Sequence, residues 1–157
     1  MVTPERGNLP DMADQSTQSI VIDASPEEIM AVISDFVSYP DWADQFKAVE
    51  VLETDDADRP SQVRFKVDAG AFKDEYVLAY EYSEDDRSLG WNLVKGTMQK
   101  AQNGRYQLAA EGSGTKVTYS LTVELAIPMI GLFKRKAEKM IMDIALKNLK
   151  RRVESTG

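Results

Sequence analysis

Tyr76, Tyr80 and Tyr82 recur at even positions of KDEYVLAYEYS, and Tyr106 and Tyr119 sit in GRYQL and GTKVTYSLTVEL. Phenols can hydrogen-bond a ligand's polar head or stabilise an enolate. Their usual partners in catalysis are missing, because the chain has no histidine and no cysteine. That excludes Ser-His and Cys-His nucleophile pairs, thiolate metal sites, disulfides and the side chain best suited to proton transfer near neutral pH. What remains is chemistry by carboxylate, Lys, Arg or Tyr, or none.

The ionisable candidates on strand-like segments are Arg64, Lys66, Asp68, Asp74, Glu75, Glu81, Lys95, Lys100 and Arg105. Alternation turns most of them outward, where charges are solvated and protect sheet edges. No two carboxylates are spaced to split their pKa values. The clusters Asp55, Asp56, Asp58 and Glu84, Asp85, Asp86 lack the glycine and terminal glutamate of a calcium loop and read as hydrated turns. No metal and no cofactor is expected.

These residues need elements to position them. Thr17 to Asp23 alternates as a first strand. In SPEE, Ser25 caps a helix, Pro26 fits its first turn and Glu28 completes a capping box; Ile29, Val32, Ile33 and Phe36 then share one face. After YPDW come Ala48 to Thr54, Gln62 to Asp68, Lys73 to Ser83, Leu89 to Lys95, Met98 to Glu111 and Thr115 to Leu125, separated by turn chemistry at DDADRPS, AGAF, EDDR and EGSG. Asn103-Gly104 marks either a hairpin or a bulge in one long strand.

From about Gly131 the pattern is helical for roughly six turns. One apolar face carries Phe133, Ala137, Met140, Ile141, Ile144 and Ala145; a second stripe carries Met142, Leu146, Leu149 and Val153. Two stripes imply a helix covered on more than one side. The expected fold is α+β: a curved antiparallel sheet of about seven strands wrapped around a long carboxy-terminal helix, with two short helices after strand 1. Such curvature leaves a gap beneath the helix unless side chains fill it.

The expected inward set is Val63, Phe65, Val67, Tyr76, Leu78, Tyr80, Tyr82, Trp91, Leu93, Tyr106, Leu108, Val117, Tyr119, Leu121 and Val123. Several inward tyrosines suit a partly hydrated pocket better than an ordinary core, since each hydroxyl needs a partner.

The capped first helix with YPDWADQF, the GRYQL and GTKVTYSLTVEL segments and the closing IPMIGLFKRKAEKMIMDIALKNLKRRVE resemble the START-like (SRPBCC) superfamily with its helix-grip fold, in the polyketide cyclase/dehydrase and coenzyme Q-binding (Coq10-like) branch. The resemblance spans about Gln15 to Glu154. It implies that Gly104, Tyr106 and Leu108 lie within one long strand, which favours the bulge. It also implies that Tyr39, Trp42 and Phe46 guard a cavity mouth, with Trp42 and Phe46 stacked at i, i+4. The alternative is that they plug the open end of the sheet.

The pocket residues expected on these grounds are Tyr39, Trp42, Phe46, Phe65, Tyr76, Leu78, Tyr80, Trp91, Tyr106, Leu108, Tyr119, Leu121, Met129, Phe133, Met140, Ile141 and Ile144. The implied function is non-enzymatic binding or transport of a hydrophobic small molecule: a lipid, an isoprenoid quinone or a polyketide. A polyketide aromatase/cyclase or dehydratase is the alternative, and a protein-interaction module the second alternative.

Ala126 to Phe133, beside Lys134, Arg135 and Lys136, reads as a buried helix entry with solvated cations; transient contact with an anionic membrane is the other reading. The net charge is −7, yet residues 131–157 hold eight Lys or Arg against three Asp or Glu. An acidic body with one basic end argues against nucleic acid as a partner. No apolar run is long enough to cross a membrane, and MVTPERGNLPDMADQ lacks signal-peptide character, so a cytoplasmic location is expected. Residues 1–14 read as a disordered tail, with Met12 an alternative start, residues 15–154 as one domain and 155–157 as a short tail. Sheet edges would support at most a weak homodimer, so the chain is expected to be a monomer or a weak dimer.

Overall fold

Strand β1, Ser16–Ile22, ends in the apolar Ile22, which is fully buried. In the computed structural model, residues 15–68, 73–126 and 131–156 are described, without the side chains of 131–134 and 156. The tail expected over residues 1–14, the AGAF turn, Met129 and the side chain of Phe133 lie outside the described residues.

Helix α1, Pro26–Ile33, starts where the capping box requires it. The Ser25 hydroxyl accepts from Glu28 N at 3.1 Å and Glu28 Oε1 accepts from Ser25 N at 2.9 Å. Two orphan helix donors are thereby satisfied, and the hydrogen bonds to the Glu28 carboxylate hold its pKa below the ordinary value. Ile29, Met30 and Ile33 bury the inner face. A 3-10 turn, Phe36–Ser38, and a one-turn helix α2, Tyr39–Trp42, complete the connection.

Six strands then return in sequence: β2 Phe46–Thr54, β3 Pro60–Asp68, β4 Lys73–Tyr82, β5 Ser88–Gly96, β6 Gln99–Glu111 and β7 Gly114–Leu125. All pairings are antiparallel, in the order β1-β7-β6-β5-β4-β3-β2, so the first strand joins the last. The acidic turns hold themselves together: Asp55 Oδ1 accepts from Ala57 N and Arg59 N at 2.9 Å, and Asp58 and Asp86 take φ of 62° and 57°.

All fifteen expected inward residues join one core, Tyr76, Tyr80, Tyr82, Leu93 and Tyr106 as half-buried members. β6 is one long strand, but its irregularity falls between Gln99 and Ala101; Gly104 is regularly paired with Leu121 and with Trp91. The bulge expected at Asn103-Gly104 is therefore displaced, and the glycine has a different cause, which lies in Trp91.

Helix α3, Gly131–Thr156, packs against β1, β7 and α1. Its buried stripe is Met142, Leu146, Leu149 and Val153. In the other stripe Met140, Ile141 and Ile144 are 59%, 40% and 43% exposed, while Ala145 at its margin is half-buried against the core. Periodicity defines both faces, but only one meets the sheet.

Glu138 sets the depth of that packing. It is buried, accepts from Ser16 Oγ at 2.8 Å and accepts from Val123 N at 2.7 Å. Among the described residues the register of β1 begins at Ser16, opposite Leu121 and two positions short of Val123 on β7. A helix carboxylate thus accepts from both strands, β1 and β7, at once.

Candidate functional site

The site grows from the connection after α1. Tyr39 rings meet Trp42 at 5.1 Å and Phe46 at 5.2 Å between centroids. The expected Trp42–Phe46 stack does not form, because α2 stops at Trp42 and Phe46 already begins β2. Tyr39 is buried and its hydroxyl donates to Ile33 O, which ties its ring to the end of α1.

From there the aromatics run on across the sheet. Phe46 meets Phe65 at 5.5 Å, Phe36 meets Tyr80 at 4.5 Å, Tyr80 meets Trp91 at 5.7 Å, and Trp91 meets Tyr106 and Tyr119 at 5.4 and 5.6 Å. Tilted and edge-on pairs of this spacing are favourable beyond their area alone. Leu78, Leu108 and Leu121 are buried among them.

The hydroxyls of Tyr76, Tyr80, Tyr106 and Tyr119 make no hydrogen bond to the protein among the described residues. No buried side-chain polar atom among those residues is left without a partner. Each of these hydroxyls therefore touches open space. Burial of the rings holds all four phenols, and that of Tyr39, above the ordinary pKa. Tyr82 is pushed up to about 12 by burial, against the opposing pull of the Arg59 guanidinium over its ring.

A groove of about 500 Å³ opens between α2 and α3, lined by Asp41, Trp42, Asp44, Gln45, Ile144, Asn148, Arg151, Arg152 and Ser155. Of the expected mouth residues, Trp42 lines it, and of the helix stripe, Ile144 does. Met140 and Ile141 are exposed on the same helix.

Among the described residues two carboxylates are buried, and both are committed to structure. Glu138 holds α3. Asp74 Oδ1 accepts from the amides of Glu75, Thr97 and Met98 at 2.8, 3.1 and 2.9 Å, and its Oδ2 accepts from Gln99 Nε2 at 2.9 Å. Gln102 Nε2 donates to Gln99 Oε1 at 2.6 Å, and Trp91 Nε1 donates to Gln102 Oε1 at 2.9 Å. The other strand-borne ionisable candidates are exposed or half-buried. Sequence reasoning left out Gln99, Gln102 and Glu138; the signal was the parity that Gln102 shares with Tyr106 on β6.

The model of a family described as "Polyketide cyclase / dehydrase and lipid transport" matches residues 14–154. No curated protein sequence matches the chain. Among solved structures, a START superfamily protein from Mycobacterium smegmatis is 26% identical, with a TM-score of 0.86 over 91% of this chain and 99% of that one. A Thermus thermophilus protein is 22% identical, with a TM-score of 0.76 over 91% and 99%. The Zhui aromatase/cyclase of a Streptomyces species is 13% identical, with a TM-score of 0.69 over 89% and 93%, a likeness of fold. With the family pattern covering nearly every described residue, the chain belongs to the polyketide cyclase/dehydrase and lipid-transport family of the START-like superfamily.

Proposed function

We propose that the protein binds and carries a hydrophobic small molecule, a lipid, isoprenoid quinone or polyketide, between its inner sheet face and α3. The carrying observation is the set of four tyrosine hydroxyls that touch open space on an otherwise apolar aromatic wall. Burying aliphatic surface against this wall supplies about 25 cal/mol per Å² before ordering costs, and the hydroxyls orient a polar end. The way in assigned to the ligand is the groove between α2 and α3, whose lining is polar but for Trp42 and Ile144. Exposed Met140 and Ile141, beside the cationic Lys136 and Lys147, suit a brief contact with an anionic membrane during loading.

A cyclase or dehydratase needs an acid or base free to meet the ligand. Both buried carboxylates already hold the fold, and the buried phenols resist ionisation. Carriage therefore fits the geometry better than turnover.

The test is native mass spectrometry of the protein as purified and after incubation with oleic acid and a short-chain ubiquinone. A one-to-one apolar adduct that weakens about tenfold in Trp42→Ala and Tyr106→Leu is expected, a loss near 1.4 kcal/mol. Absence of any adduct from the intact protein under all three conditions would overturn the reading.

A further inference from the structure

The chain Trp91, Gln102, Gln99, Asp74 has a direction. An indole N–H can only donate and a carboxylate can only accept, so the roles at the two ends are fixed by chemistry. Each glutamine between them must then accept on the Trp91 side and donate on the Asp74 side, which is the arrangement present.

We infer that Asp74 is a positioning residue for the binding wall: through Gln99 and Gln102 it fixes the acceptor that holds the Trp91 indole. Asp74 is anchored independently of this task, by the Thr97 and Met98 amides of the β5–β6 turn and by the Glu75 amide on its own strand. Asp74, Gln99 and Trp91 are buried and Gln102 is half-buried, so the Asp74–Gln99 link is shielded from water and the chain meets it only toward Gln102. The indole's other side is set by Gly104, over which it lies.

A consequence for specificity rests on the pocket reading above. With its N–H occupied, Trp91 offers a ligand a carbon surface and no donor, and hydrogen bonding is left to the phenols of Tyr106 and Tyr119 beside it. The turn at Thr97 and Met98 thus sets the character of the wall without reaching it.

Asp74→Asn tests the direction while keeping the shape. The three backbone amides demand the asparagine oxygen, which leaves its NH₂ facing Gln99. Gln99 must then turn its oxygen to residue 74 and its NH₂ to Gln102; Gln102 turns likewise, and its NH₂ meets the indole N–H, donor against donor.

The readout is the Trp91 indole N–H resonance of the intact protein without ligand, separated from that of Trp42 with Trp42→Phe. The expected result in Asp74→Asn is an upfield move and about tenfold faster hydrogen exchange, while the Thr97 and Met98 amides stay protected. Should that variant fail to fold, Gln99→Met interrupts the chain one link from the indole and gives the same move, and Gln102→Met, which removes the acceptor itself, marks its full size. An indole signal that stays at its wild-type position in Asp74→Asn or Gln99→Met, while moving in Gln102→Met, would overturn the inference. Failure to take up apolar molecules would leave the alignment standing, whereas an unmoved indole would sink it whatever the protein binds.

Discussion

Trp91 lies directly across Gly104: a Cβ added to the glycine would stand 2.2 Å from the indole Cζ2. The two are register partners on β5 and β6, so the strand pairing that creates the contact also forbids its relief by sliding. Gly104→Ala must push the indole aside, off Gln102 and against Tyr106 and Tyr119. Overpacking of this kind costs about 1–3 kcal/mol. Urea denaturation should show that loss, with altered near-ultraviolet circular dichroism from Trp91; a variant as stable as the parent would mean that the indole has room to move.

All six tyrosines hold their phenols above the ordinary pKa, chiefly through burial. Below about pH 10 both native and unfolded phenols are protonated and stability is independent of them. Above it the unfolded chain releases protons that the native chain retains, so stability falls as pH rises through the window from the ordinary value to each raised one. For Tyr82 that window closes at about 12. The buried Tyr39 and Tyr119 each contribute a slope of up to about 1.4 kcal/mol per pH unit. Phenolate absorbance during a base titration should show no native phenol ionising at its ordinary value. A tyrosine that titrates early would be an activated one and would favour the cyclase reading over carriage.

Why the sequence carried so much of this is visible in single residues. Ser25 and Glu28 act within one turn, so α1 starts where they say. Tyr76, Leu78 and Tyr80 keep a period of two, so β4 faces as expected. Local signals stop where a neighbour decides. The two apolar stripes of α3 are alike as periodic patterns, and only the position of β1 and β7 covers Met142 and Leu146 while leaving Ile144 exposed. Gly104 reads as a bulge until Trp91 is placed over it. Asp74 shares the parity of Tyr76, but a charge near a strand end ordinarily signals solvent, and its four donors come from its own strand, the β5–β6 turn and the start of β6.

Glu138 is the sharpest case, a glutamate among lysines on a basic helix that the charge pattern alone assigns to water. Its burial follows from the two donors it meets: the Val123 amide of β7 and the Ser16 hydroxyl of β1 both turn to the helix. Removing the carboxylate leaves a buried backbone donor and the Ser16 hydroxyl without this acceptor. Glu138→Ala should therefore destabilise the protein by about 1.5–3 kcal/mol, the range for hydrogen bonds to a charged group. Glu138→Gln keeps one oxygen for Val123 N, while the Ser16 hydroxyl can rotate to accept from the new NH₂, so its cost should be nearer 1 kcal/mol. Urea midpoints give the two losses, and hydrogen exchange at the Val123 amide separates their causes, since exchange should quicken in the alanine variant and remain slow in the glutamine one. Equal destabilisation by both, with the amide equally protected, would mean that the charge of Glu138, and not the acceptor it offers β7, fixes α3 to the sheet.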